Sequence, residues 1–157
     1  TGVRGRPSLE RFGSTAGLRG MKGMVFEGGI RVPMIAWWPG KIAAGASTEE
    51  VTTFWDVLPT FAELVGRPDL IMGDGQSFAP VMLGHGQMPR ERLLYWAVRD
   101  RKAVRYGDWK WVHHPMDNRS DFLFNIVDDP NELTNLASKN PEVMSRLQKM
   151  ADEVVAN

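Results

Sequence analysis

Between residues 93 and 125, segments rich in β-branched and aromatic residues follow one another with almost no chain between them, and this crowding constrains the fold more than any other feature. Leu93 to Val98, Lys102 to Val112 and Asp121 to Asn125 all read as strands, the second broken by the Gly107-Asp108 turn signal. Consecutive strands on links this short favour an antiparallel sheet. Behind them, Val143, Leu147, Met150 and Val154 recur at helical spacing across Pro141 to Val155. Asn140 stands as candidate N-cap and Glu142 in the first turn. The expectation is a small antiparallel sheet closed by a C-terminal helix.

The chain upstream is different in kind. Residues 1 to 29 hold eight glycines and no sustained period, which reads as loop. Ile30 to Trp38 is a nearly continuous apolar run ended by Pro39-Gly40, expected to be a buried strand over residues 32 to 37. Val51 to Phe54 is expected to form a second short strand. Trp55, Leu58, Phe61, Ala62 and Val65 then fall at spacings of three and four before Gly66, predicting a helix over about 55–65. Thr53 or Asp56 is its expected cap, with Pro59 in the first turn. From Arg67 to Arg92 the density of Gly and Pro predicts a long connection with one helical turn.

Composition narrows the function classes. The 157 residues are 43% hydrophobic, enough for one globular domain or a domain-sized piece of a larger one. Basic and acidic residues balance at 19 each, so the whole chain offers no electrostatic argument for nucleic acid or an anionic membrane. The balance is uneven, however: Arg4, Arg6, Arg11, Arg19, Lys22 and Arg31 face only Glu10 and Glu27 in the first 32 residues, and the last 41 are net acidic. With no cysteine there is no disulfide, thiolate metal site or cysteine nucleophile. No apolar run approaches the roughly 20 residues that cross a bilayer. The opening Thr-Gly-Val-Arg-Gly-Arg-Pro reads like the middle of a loop, which hints at truncation.

Among residues that could carry chemistry, Lys22 stands between Gly20 and Gly23, where backbone can approach a ligand closely and an ammonium suits a sulfate or phosphate oxygen. Spacing alone favours an ordinary solvated side chain. Glu27 and Arg31, four apart, are placed to pair with each other or with backbone, and Gly28-Gly29 reads as turn geometry with no helix start after it. His113 and His114 are neighbours on a strand, so they point to opposite faces and cannot easily share a metal; His85 sits alone in a Gly-rich loop. Of the six tryptophans, Trp109 and Trp111 share a strand face and Trp96 is expected to join them in one core cluster.

The run Lys22-Gly23, Glu27-Gly28-Gly29-Ile30-Arg31-Val32-Pro33 and Trp38-Pro39-Gly40-Lys41-Ile42 resembles the second signature region of the sulfatase family. Asp56-Val57-Leu58-Pro59-Thr60 before Gly66, then Asp74-Gly75 with Ser77 and Leu83-Gly84, resemble its helix and connecting segment. Ala103-Val104-Arg105, Gly107-Asp108-Trp109-Lys110, Phe124-Asn125, Asp129-Pro130-Asn131-Glu132 and Asn135-Leu136-Ala137 are similar to its C-terminal sheet and following turn. Order and spacing agree from about residue 17 to the end.

The resemblance implies an α/β fold, the C-terminal part of an alkaline-phosphatase-like sulfatase. One strand of the large central sheet and a helix would belong to the end of the catalytic domain (residues 1–92), and the small antiparallel sheet with its C-terminal helix to a subdomain (93–157). It also implies hydrolysis of sulfate esters through a formylglycine nucleophile and a divalent cation, usually calcium, where prepositioned cations meet charge shifting onto sulfate oxygens. Lys22 matches the family lysine that contacts a sulfate oxygen, and it is the one residue of the site, catalytic and substrate-binding, that carries over. The Cys- or Ser-x-Pro-x-Arg motif, the early paired aspartates and the Asp-Asn pair upstream of the lysine do not occur. The expectations are therefore that calcium or another divalent cation is bound in the full-length enzyme by residues absent from this chain, and that the chain alone is inactive. Family resemblance further suggests a periplasmic or secreted protein. An isolated chain is expected to aggregate or to form a homo-oligomer through an exposed apolar sheet edge. Three alternatives stay open: a phosphonate or phosphate ester hydrolase of the same superfamily, a non-catalytic module binding a polyanion, and a degenerate relative.

Overall fold

The computed structural model describes residues 13–70, 73–116 and 119–156. Four strands form one antiparallel sheet in sequence order: β1 Leu93–Val98, β2 Arg101–Tyr106, β3 Trp109–Met116 and β4 Arg119–Asn125. The register is set by two tight turns, with Val98 opposite Arg101 and Tyr106 opposite Trp109. Gly107 takes the left-handed conformation (φ +60°) that a two-residue hairpin asks of its first position. Arg99, at φ +59°, meets the same demand in the β1–β2 turn without glycine's freedom. The pairing of β3 with β4 shifts between His113 and Met116, past the part of the sheet that carries the core.

Strict alternation divides the sheet residues between two cores. On one face Val104, Trp111 and Leu123 pack with Leu147 and Ala151 of the C-terminal helix Pro141–Ala156, with Tyr95, Trp109, Val143, Met144 and Met150 around them. On the other, Ala103, Val112, Phe122 and Phe124 pack with Val25 and Phe26 from the glycine-rich segment and with Ile126. Trp96 belongs to this second cluster, not with Trp109 and Trp111 as expected. Its cross-strand partner is Ala103, whereas Tyr95 lies opposite Val104, so the register puts Tyr95 on the helix side. The helix starts with Pro141 in its first position, and the Asn140 side chain donates back to the Leu136 carbonyl instead of accepting from the first turn.

Residues through Val32 and from Arg90 onward form one compact unit, and Pro33–Pro89 form another. Within the first unit the segment after Lys22 packs with the sheet. Within the second unit the expected helix is present as α2 Val57–Leu64, preceded by a 3-10 turn at Phe54–Asp56 and stopped by Gly66 at φ +70°. Asp56 is fully buried and organises the unit: its carboxylate accepts from the Thr53 backbone and hydroxyl (both 2.7 Å) and from Gln76 N (2.9 Å). One turn on, the Thr60 hydroxyl donates to Asp56 O (2.6 Å) and accepts from Phe78 N (3.0 Å). The 67–92 connection holds a 3-10 turn, Pro68–Leu70, and one short helix, α3 Ala79–Met82.

Two expectations for this unit are corrected. The strands expected at residues 32–37 and 51–54 do not form, since no described segment offers them a ladder partner. Ile35 is 94% and Trp37 85% exposed, so the apolar surface expected at a sheet edge lies along an unpaired extended run. Helix α2 buries Pro59, Thr60 and Ala62; of the predicted stripe, Ala62 is buried as expected, while Trp55, Leu58, Phe61 and Val65 are exposed. The period of the helix is as read; the buried face is set by the Asp56 and Thr60 hydrogen bonds.

Candidate functional site

Lys22 sits at the tip of a type II turn. Met24 N donates to Met21 O (2.9 Å), and Gly23 after the lysine takes φ +87°, the left-handed third position that such turns require. The Lys22 side chain is exposed, and no described residue accepts from its ammonium.

The turn is mounted on a ring of backbone. Residues Glu27–Ile30 make a single helical turn, α1, so a helix does begin at the glycine pair, contrary to the expectation there. Gly28 N donates to Arg19 O (2.7 Å) and Gly29 N to Phe26 O (2.8 Å). A Cβ on Gly28 would lie 2.7 Å from the carbonyl oxygens of Leu18 and Arg19, and one on Gly29 would lie 2.6 Å from that of Met21. The two glycines let the loop close on itself, with no room for an anion. Gly29→Ala is expected to cost about 1–3 kcal/mol or more, the scale of overpacking, measured as a fall in the urea midpoint; an unchanged midpoint would show that the loop is slack.

Beneath the loop lies a buried ionic network. Lys110, on β3 and fully buried, holds Glu27 Oε1 at 2.7 Å and Glu132 Oε1 at 2.8 Å. Glu27 N donates to Glu132 Oε2 (2.7 Å), and Arg31 Nε pairs with Glu27 Oε2 at 3.0 Å, which realises the spacing seen in sequence. Arg19 donates from Nη1 to Glu132 O (2.9 Å), and its guanidinium lies over the Phe26 ring at 4.1 Å and near Phe122 and Phe124. Glu132 adopts φ +56° to reach this position. Burial pushes its carboxyl above the ordinary value, and the adjacent Lys110 ammonium works in the opposite direction. Nearer the turn tip, Arg101 Nη1 donates to Gly23 O at 2.8 Å. Arg19 and Arg31 are thus engaged with the protein itself, whereas Arg4, Arg6 and Arg11 of the basic front lie outside the described residues.

Sequence reasoning placed Lys110 and Glu132 in matching segments but assigned neither a role. Lys110 shares its strand face with Val112 and His114, so its inward direction was available from period two. That its partners lie 83 and 22 residues away in the chain was not.

The histidines behave as their adjacency requires. His113 Nδ1 lies 3.1 Å from Asp121 Oδ1 on the helix side, and His114 is 3% exposed on the other side with its ring 5.2 Å from that of Phe26. Neither nitrogen of His114 finds a partner among the described residues. Burial, with the nearby Arg101 charge, holds its pKa below the ordinary histidine value. The unfolded chain therefore binds the proton more readily. The folded state is expected to lose stability as pH falls from about 6.5 toward the lowered value, with no contribution from His114 above that window. Urea midpoints of wild type and His114→Phe across pH 5 to 8 check this: the variant should show a shallower acid slope. Among the described residues, no three His, Asp or Glu side chains converge on a possible metal position, and no helix is long and apolar enough to cross a membrane.

Comparison with known proteins identifies the chain. Residues 20–157 match the family described as N-sulphoglucosamine sulphohydrolase, C-terminal. The chain is 33% identical to human arylsulfatase A across 90% of its length and 34% of the relative's, and 35% identical to bovine arylsulfatase A across 86% and 32%. It spans about a third of the length of these curated relatives. Its fold superposes on the PsFucS1 sulfatase from Pseudoalteromonas sp. with a TM-score of 0.70 at 25% identity, covering 88% of this chain and 32% of that one. A Bacteroides thetaiotaomicron structure described under the metabolism of multiple glycosaminoglycans shares the fold at a TM-score of 0.74 and 23% identity, over 96% of this chain and 35% of that one. By sequence match and by fold, the chain belongs to the sulfatase family and corresponds to its C-terminal portion, part of an alkaline-phosphatase-like fold.

Proposed function

We propose that the full-length protein of which this chain is part hydrolyses sulfate esters, with Lys22 contacting a sulfate oxygen as substrate-binding and catalytic cation. The observation that carries this is an exposed ammonium at the tip of a turn whose backbone is fixed on both sides, by Arg101 at Gly23 and by the ionic network at Glu27. A lysine that served only solubility would not need such a mounting. Both curated relatives named above are arylsulfatases, which favours sulfate over other tetrahedral anions.

In this reading Lys22 acts by charge alone. It meets negative charge as it builds on the sulfate oxygens and leaving oxygen, and transfers no proton. Calcium or a related divalent cation, together with a formylglycine nucleophile, would supply further charge neutralisation and the attacking group. The described residues do not furnish that cluster. The isolated chain is accordingly expected to be inactive.

The direct test is to assay the full-length protein on an aryl sulfate and on an aryl phosphonate. Preference for the sulfate supports the proposal. Preference for the phosphonate would reassign the chemistry to the sister reaction of the superfamily, and activity on neither would reject it.

A further inference from the structure

Resting on that reading of Lys22, we propose that the buried Glu27–Lys110–Glu132 triad and Arg101 are positioning residues, holding the Lys22 turn in the orientation its ammonium needs for sulfate-ester hydrolysis. The 18–31 loop has little means of holding its own shape. It contains four glycines in 14 residues, and two of them, Gly20 and Gly23, lie at φ +87°. Two kinds of bond tie it to the sheet. Arg101, at the start of β2, grips the carbonyl of the residue after Lys22. Five residues on, Glu27 is bound through both its side chain and its backbone N–H, to Lys110 of β3 and Glu132 of the following turn.

The triad is costly to build, which argues that its geometry matters. Three charged side chains are withdrawn from water, and an apolar replacement of similar volume is often as stable as such a network. Glu132 also holds a left-handed backbone to take part. What the charges supply beyond apolar packing is direction: two carboxylates on one ammonium, plus one backbone N–H, admit a single placement of Glu27 and of the loop behind it. A shift of about 1 Å at a group that meets a reacting anion is enough to cost on the order of 10²-fold in rate.

A double-mutant cycle in the full-length enzyme tests this, with kcat on an aryl sulfate as the readout. Lys110→Met is expected to lower kcat about 10- to 100-fold when Lys22 is present, and less than about 2-fold when Lys22 is already alanine, because a positioning residue has nothing left to position. Equal losses in both backgrounds would overturn the inference and leave the triad a purely structural feature. Should Lys110→Met fail to fold, Arg101→Ala asks the same question at a partly exposed side chain, and Arg101→Lys, which keeps a donor, should restore part of the lost rate. The underlying reading of Lys22 fails separately and visibly, if Lys22→Ala by itself leaves kcat unchanged.

Discussion

Lys22→Ala in the full-length enzyme is expected to lower kcat/KM for an aryl sulfate by at least about 10²-fold, the scale on which removing one prepositioned donor to a developing oxyanion acts. The loss should appear chiefly in kcat, because charge on the sulfate and leaving oxygens grows between ground state and transition state and a fixed ammonium gains most there. The fold should be unaffected. Lys22 is exposed, its ammonium has no hydrogen bond or ion pair to a described residue, and it occupies a turn position that alanine also accepts. A thermal midpoint equal to wild type with activity reduced 10²-fold is therefore the expected pair of results. Full activity would remove Lys22 from the site.

The largest stability effect is expected at Lys110. Replacing it by methionine keeps the volume but leaves Glu27 and Glu132 facing each other, both nearly or fully buried, with no ammonium between them. Removing one partner of a buried charge network costs about 3–5 kcal/mol, since the remaining charges must be desolvated uncompensated. The triple variant Glu27→Gln, Lys110→Met, Glu132→Gln should lose less than Lys110→Met alone, although it carries more changes, because it leaves no unpaired charge. Urea denaturation of the three proteins checks the order. If the single variant proved the more stable, the network could not be a closed set of mutually compensated charges.

These two residues show where sequence reasoning reaches and where it stops. The loop around Lys22 was legible as a loop because its signals are local: the flanking glycines and the Glu-Gly-Gly-Ile-Arg run lie within ten residues. The four strands were legible for the same reason, since alternation and two-residue turns are properties of short segments. Trp96 was misplaced because its side depends on register against β2, and a shift of one residue moves every side chain to the other face. The apolar character of residues 32–37 suggests a strand, yet a strand exists only when a neighbour supplies the ladder, and none of the described segments does.

By itself the sequence determined the local vocabulary of this protein: the hairpins and their turns, the two longer helices with their stops, the pairing of Glu27 with Arg31, and the pattern by which the family is known. Only the tertiary structure decided that the glycine-rich loop is fastened to the sheet, that Lys110 lies buried between two carboxylates, and that most of the apolar stripe of α2 faces outward. The division has one physical cause. Periodicity and turn preference are energies of neighbouring residues along the chain. Burying a charge, by contrast, is tolerable only when an opposite charge arrives from a distant part of it, and which part arrives is settled by packing.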